Sequence, residues 1–499
     1  MSGGAATDPS LARLAEAILV PPFPGTTVPG WLLAALDRGL AGVTLFGPNV
    51  ADPGQVATLT ARLRDSADEP VIAIDEEGGD VTRMAHRTGS PYPGNAALGA
   101  VDDTGLTTEI YRALGSDLAT VGINVNLAPS VDVNSAADNP VIGTRSFGAD
   151  TDLVARHAAA AVTGLQSAGI AACAKHFPGH GSTHDDSHHM IAVVDGDLEQ
   201  LRRRDLPPFA AAIAAGVRAV MPGHLRVPGL TGGLPATWSA AAMTGLLRGE
   251  LGFTGVIITD ALEMRAVSEP HGVPEAAVRT VAAGADLLCL GRDQDEQMYL
   301  AARAAIAAAV TAGRLPAERL EEAGSRVSWL RSWLARARDT AAQAPSADSA
   351  GAGQAGLTAA RRALRVFGLS HPVADPVVVE LRPLGNIAVG AVPWGLGPWL
   401  NGNVQRLDTG QDEAGRAGAI SGVLAMAAGR PLVVVVRDAH RHPAARAVTT
   451  ALLAAHPDTV VVEMGLPVWR PTSGAYVATY GAARPNGRAA AEVLGLVPA

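Results

Sequence analysis

At 499 residues the chain is longer than one ordinary domain, and 48% hydrophobic with 17% charged residues is the composition of a globular protein with a sizeable core. A formal net charge of −9 argues against nucleic acid as a partner. The two cysteines, Cys173 and Cys289, both sit in apolar runs, so they read as reduced core thiols and give no disulfide framework. Leu11 to Val20 is interrupted by Arg13 and Glu16 and then broken at Pro21-Pro22, unlike a signal peptide. No apolar stretch of membrane-spanning length is free of charge or proline. The expectation is a soluble, cytoplasmic monomer with no membrane partner.

In chain order, short apolar runs alternate with amphipathic segments from Leu14 to Gly291. Strands are predicted at Ala17–Val20, Gly42–Phe46, Val71–Asp75, Asn124–Ala128, Ala171–His176, Ala219–Pro222, Gly255–Asp260 and Asp286–Leu290. Helices are predicted between them, among others at Pro53–Ser66, Thr107–Val121, Asp152–Ser167, Leu198–Ala215 and Ala240–Leu251. This alternation predicts an α/β fold, a (β/α)8 TIM-type barrel, with a doubly wound open sheet as the rival. A helical run, Asp295–Ala337, closes a first domain at residues 1–338. Residues 339–356, rich in Ala, Gly, Ser, Gln and Pro, read as a linker. Residues 357–499 carry further apolar strands at Val377–Leu381, Pro431–Val436 and Thr459–Met464, which suits a smaller parallel α/β sandwich domain.

The densest chemistry lies in Lys175 to His189, which holds five of the thirteen histidines and the only lysine of the chain. A lone lysine in an arginine-rich protein suggests a task that needs a compact point charge. His176, His180, His184 and His188 recur every four residues, as metal ligands on one helix face would. Pro178, Gly179 and Gly181 break that helix, so neither a metal nor another cofactor is expected. Instead Lys175-His176 ends a strand, as Asp75-Glu76-Glu77 and Asp260 do, while Pro129–Asn134 and Gly223-His224 follow two others. In a barrel all of these gather at the C-terminal face, where barrel enzymes hold their sites. Any one of them alone reads equally well as a turn former.

Four motifs, in order, carry a resemblance. Asp75-Glu-Glu-Gly-Gly-Asp-Val-Thr-Arg83, Ile142-Gly-Thr-Arg-Ser-Phe147, the Lys175–His188 loop and Gly255-Val-Ile-Ile-Thr-Asp-Ala-Leu-Glu-Met264 resemble the signatures of glycoside hydrolase family 3. The Lys-His-Phe-Pro-Gly-His-Gly…Asp-Ser-His loop is similar to that of its β-N-acetylglucosaminidase branch. The resemblance implies a retaining mechanism with Asp260 as nucleophile and His188, paired with Asp186, as acid/base. It implies that Asp75, Arg83, Arg145, Lys175 and His176 hold the terminal sugar, and His224 is grouped with them as a strand-end residue.

The chemistry suits these residue types. Retaining hydrolysis needs a carboxylate on one face of the anomeric carbon and a proton donor at the leaving oxygen. Histidine can be that donor near neutral pH, and a carboxylate two residues away can orient it. At least one of Glu76 and Glu77 is expected to serve as an internal partner for arginine rather than as a ligand contact. Two departures from the family pattern stand out: Asp80 replaces a usual basic residue, and His189-Met190 replaces a polar-then-Leu-Pro return. The function expected is exo-acting removal of terminal β-N-acetylglucosamine from cell-wall (muropeptide) or chitin-derived oligosaccharides. Three rivals remain: a glycoside phosphorylase using the same residues, a Schiff-base enzyme built on Lys175, and a sugar-binding protein without catalysis.

Overall fold

The computed structural model describes residues 8–187, 190–269, 271–342, 349–382 and 388–498. They form two compact units interleaved along the sequence. The first comprises Met1–Glu76, Thr107–Ala136 and Ala149–Ala347, the second Glu77–Leu106, Ala137–Gly148 and Asp348–Ala499.

In the first unit eight parallel strands follow the predicted order: β1 Leu19–Val20, β2 Gly42–Leu45, β3 Val71–Ile74, β4 Val125–Asn126, β5 Ala171–Phe177, β6 Ala219–Pro222, β7 Val256–Ile257 and β8 Leu288–Cys289. Strands β2 to β7 pair in sequence order, and β1 pairs with β8. A bridge between Ile258 and Leu287 joins β7 to β8. Backbone bonds from Thr44 N to the Pro21 carbonyl and from Ala41 N to the Glu16 carbonyl join β1 to β2. The parallel sheet therefore curls on itself into a barrel-like ring. Its strands read as unbroken apolar runs because helices cover the outside while side chains fill the inside, so that all four residues of β3 are buried.

Local sequence sets the helix starts. Asp52, Asp150, Asp197 and Asp295 each cap a helix by accepting the N–H three residues on, from Gln55, Leu153, Gln200 and Met298. Each such cap contributes about 1 kcal/mol. The stretch predicted as one helix over Leu198–Ala215 is two, Leu198–Arg204 and Leu206–Ala214. The Pro207-Pro208 pair lacks the N–H groups that a continuous helix needs, and fits only a first turn. A short extra pair, Ala192–Val193 with Leu225–Arg226, was not foreseen. Of residues 339–356, those up to Ala342 continue the helix that begins at Ala317, and those from Ser349 begin the helix ending at Ala363. An alanine-rich composition favours both.

The second unit holds a six-stranded sheet: β9 Arg365–Phe367, β10 Val377–Arg382, β11 Gln405–Asp408, β12 Leu432–Val436, β13 Val460–Glu463 and β14 Ala475–Ala478, in the order β9-β14-β13-β12-β10-β11. The sheet is mixed, not parallel as predicted, because β9 runs antiparallel to β14. An antiparallel strand needs no crossover helix to join its neighbour, so it can be added at the edge of an otherwise parallel sheet. Period-two alternation splits the sheet residues between two cores. Val377, Val379 and Leu381 pack with Val448 and Leu452 of the helix Pro443–Ala455. Val378, Val433 and Val435 pack with Ala490 and Ala491 of the helix Arg484–Val493.

Inside the ring, alternate residues of neighbouring strands build one apolar core: Val71 and Ala73, Ala171 and Cys173, Val256 and Ile258, Leu287 and Cys289. Burial pushes both thiols up, Cys289 to about 12. Both are therefore expected to resist Ellman's reagent in the native protein at pH 8 and to react fully in denaturant. Rapid labelling of either thiol in the folded chain would show that water enters this core.

Candidate active site

The same alternation that builds the core places the chemistry. Two residues beyond Ala73, Cys173 and Ile258 come Asp75, Lys175 and Asp260, on the same face of their strands and at the C-terminal ends. Burial is the main cause that raises the Cys173 thiol, and Lys175, Asp75 and Asp260 all act on it through their charge. Asp75 and Asp260 act in the same way on Cys289. The three groups thus lie above one interior column.

Lys175 Nζ donates to Asp75 Oδ1 at 2.6 Å, with 3% of the lysine side chain and 23% of the aspartate side chain exposed. The ammonium is the buried member and the carboxylate the presented one. Asn126 at the end of β4 holds this strand end in place: its Oδ1 accepts from Glu76 N at 3.0 Å and its Nδ2 donates to the Glu76 carbonyl at 2.7 Å. Asp260 Oδ1 accepts from Ala261 N at 2.7 Å, which orients the carboxylate.

His224 is fully buried. Its Nε2 lies 3.0 Å from the Ala261 carbonyl and its Nδ1 2.7 Å from Thr237 Oγ1. A carbonyl only accepts, so the proton sits on Nε2. Sequence groups His224 with the sugar-binding residues; here it fastens the residue that follows Asp260.

The histidine loop is organised by a carboxylate that sequence reasoning did not single out. Asp132 is buried and lies in the Pro129–Asn134 segment. It accepts from the His180 backbone N at 2.7 Å and from Ser130 Oγ at 2.9 Å, and its Oδ2 is 2.7 Å from His176 Nδ1. Burial pushes its carboxyl up, but the charges and hydrogen bonds of His176 and His180 outweigh burial and hold it below the usual range. The available signal was a lone acid between Val131 and Val133, since an acid inside an apolar alternation must find partners. His180 in turn has Nδ1 2.7 Å from Thr183 Oγ1 and Nε2 2.9 Å from Ser187 Oγ. No helix aligns these histidines, because β5 ends at Phe177 and turns follow. Gly181 is required there, since a Cβ would lie 1.9 Å from the Val133 carbonyl oxygen. Asp186 is half-buried and its carbonyl accepts from Met190 N at 3.2 Å. His188 lies outside the described residues.

Arg83 and Arg145 belong to the second unit. Arg145 is buried, and its Nε and Nη2 grip both oxygens of Glu77, at 2.9 and 2.7 Å. Glu77 is thus the internal arginine partner expected from sequence. Arg83 Nη2 donates to the Ala388 carbonyl at 3.1 Å. Asp80 is buried and takes the Thr144 hydroxyl at 2.6 Å, Arg437 Nη2 at 3.0 Å and Ala482 N at 3.0 Å. Among the described residues no group of three or more His, Cys, Asp or Glu is placed to hold a metal ion, and no helix is long and apolar enough to cross a membrane.

Residues 33–330 match the N-terminal domain of glycosyl hydrolase family 3. The chain is 35% identical over 335 residues to β-hexosaminidase A of Pseudoalteromonas piscicida, an alignment that spans 62% of this chain and 56% of that protein. It is 38% identical over 288 residues to a β-hexosaminidase of Stenotrophomonas maltophilia, across 54% of this chain and 84% of that one. Among solved structures, a family 3 β-N-acetylglucosaminidase from Paenibacillus sp. FPU-7 superposes with a TM-score of 0.85 at 34% identity, covering 98% of this chain and 97% of its own. A β-glucoside phosphorylase shares the fold, with a TM-score of 0.74 at 18% identity over 99% of this chain and 92% of its own.

Asp132→Asn is expected to destabilise the first unit by about 2 kcal/mol at pH 7, because a buried charge-assisted network loses its anion. The native carboxyl is depressed, so its stabilisation is present above the ordinary value of 3.8 and is lost as pH falls through the native value. Denaturant unfolding should therefore give a constant gap between wild type and variant from pH 7 to about 5, closing below about 4. A gap that widens in acid would reverse the assignment.

Proposed function

Because the chain belongs to glycosyl hydrolase family 3, in its β-hexosaminidase branch, we propose that it is a retaining, exo-acting β-N-acetylglucosaminidase. Its substrates are cell-wall (muropeptide) or chitin-derived oligosaccharides with a terminal β-N-acetylglucosamine. Asp260 attacks the anomeric carbon and forms a glycosyl ester. His188, oriented by Asp186, protonates the leaving oxygen and then activates water to release the sugar. The roles of His188 and Asp186 rest on their motif.

The observation that supports this reading most is the convergence of Asp260 with the Asp75–Lys175 pair above one apolar column of the first unit. A nucleophilic carboxylate needs a rigid mount and an ionised state. Asp260 has the mount, two residues beyond the core residue Ile258 and tied through Ala261 to buried His224. Asp75, half-buried and anchored from below by Lys175, suits a carboxylate that accepts from two adjacent sugar hydroxyls. His176, with Nδ1 turned to Asp132, has its ring oriented so that Nε2 can serve a hydroxyl. Arg83 and Arg145 carry the sugar-binding role that their motifs imply.

An aryl glycoside panel (N-acetylglucosaminide, glucoside, xyloside) should give the highest kcat/KM on the N-acetylglucosaminide. Asp260→Ala should lose roughly a thousandfold or more on it. His188→Ala should lose most where the leaving group is poor, since only such a group needs the proton. Wild-type activity in Asp260→Ala would remove that residue from the mechanism. A sugar 1-phosphate formed only when phosphate is added would make the enzyme a phosphorylase.

A further inference from the structure

Asp80 is a buried carboxylate to which the mechanism gives no task, and it joins parts of the chain that carry one. It sits in a tight turn after β3, where Gly78 and Gly79 both take left-handed backbone, with φ of 74° and 59°. Gly79 N donates to the Tyr92 carbonyl at 3.1 Å, and a Cβ on Gly79 would lie 2.5 Å from the Gly94 Cα. The turn is thereby held in a form that only glycine adopts cheaply. Asp80 points inward from it, three residues before Arg83. Its Oδ2 takes the hydroxyl of Thr144, the residue before Arg145. Its other partners come from the six-stranded sheet: Arg437 directly follows β12, and Ala482 lies beyond β14.

The two arginine-bearing arms are tied together by Glu77 with Arg145 and by Asp80 with Thr144. Asp80 also pins the second of these ties to Arg437 and Ala482, which follow two inner strands of the sheet. Neither oxygen of Asp80 is idle: Oδ1 serves Ala482 N, while Oδ2 serves both a hydroxyl and a guanidinium. Such a carboxylate converts the rigidity of a sheet into a set separation between two loops.

We propose that Asp80 is a positioning residue for substrate binding: it fixes the spacing of Arg83 and Arg145, and through Arg437 and Ala482 it makes the C-terminal sheet a determinant of affinity for the glycoside. This rests on the sugar-binding role proposed above for the two arginines. Because they hold a sugar ring and touch no bond that changes, loosening their spacing weakens ground state and transition state alike. The loss then falls on KM and leaves kcat in place.

The test uses the full chain with an aryl β-N-acetylglucosaminide. Asp80→Asn removes the charge that faces Arg437, and Thr144→Val removes one hydrogen bond without touching a charge. Each should raise KM roughly tenfold, with kcat within about twofold of wild type. Inhibition by free N-acetylglucosamine should weaken by the same factor. A merely structural Asp80 would instead lower the melting temperature and reduce active enzyme without moving KM. A KM within about twofold of wild type in Thr144→Val, or a loss confined to kcat, overturns the proposal, and Thr144→Val decides the matter should Asp80→Asn fail to fold. If wild type turns over none of the aryl glycosides, the hydrolase reading fails and this proposal with it; if wild type is active and the variants keep its KM, this proposal fails alone.

Discussion

A buried ammonium is the constraint around which the first unit is arranged. Taking a lysine out of water costs several kcal/mol, and a carboxylate within hydrogen-bonding distance offsets that only when geometry is good. Lys175 meets the condition through a 2.6 Å contact with Asp75, made across two strands that are not neighbours in the sheet, with β4 between them. A hydrophobic pair of similar volume would hold the ring together as well or better. The ion pair is thus weak as a stabilising device. It is well suited to presenting one charged oxygen edge at the end of an apolar column. The inward positions below it are small or apolar, Ala73 and Cys173, so the charges of the pair both reach the Cys173 thiol, and that of Asp75 also reaches Cys289.

Carboxylates with no direct chemistry do most of the holding elsewhere. Asp132 gathers the start of the histidine loop, Glu77 takes the fork of Arg145, and Asp80 binds two loops and two strand ends. In the second unit Glu463 follows the same logic. Its fully buried carboxyl, raised by burial to about 8, accepts from Asp438 N, Ala439 N and Gly465 N beyond the ends of β12 and β13. Loop backbone that cannot pair with a strand must find acceptors, and a carboxyl group supplies several at one point. Irregular segments that must be both buried and rigid are built here on internal acids. This is why the count of acidic residues says little about the surface of the molecule.

Legibility followed periodicity. All eight strands of the ring were visible in sequence because each is a short apolar run bounded by turn formers, and Ala219–Pro222 matched to the residue. Strand ends then pointed to Asp75, Lys175 and Asp260, since alternation carries a core face outward to the next inward residue. Asp132 was missed for the converse reason: it lies in a segment with no regular element, where no period marks which side chain turns inward. The antiparallel β9 was equally silent. Arg365, Val366 and Phe367 are all exposed, so no buried face imprinted a pattern on them. The contacts of His224 with Thr237 Oγ1 and the Ala261 carbonyl were equally silent, because a histidine at a strand end reads alike in sequence whether it faces a ligand or a carbonyl.

The single lysine can now be understood beside the arginines. Arg145 meets Glu77 edge to edge, with two parallel hydrogen bonds that use the planar fork. That geometry needs lateral room, which the short helical turn Gly143–Arg145 outside the ring strands provides. Lys175 instead rises from a strand inside a ring of close-packed neighbours and must reach one oxygen of a carboxylate two strands away. A guanidinium there would bring a plane and five donors into a space whose inner wall is apolar, and most of those donors would be left unpaired. A slender stem ending in a compact charge fits a column; a fork fits a cleft. The composition bias toward arginine therefore has its exception at a position where the interior of the ring, not a loop, supplies the cation.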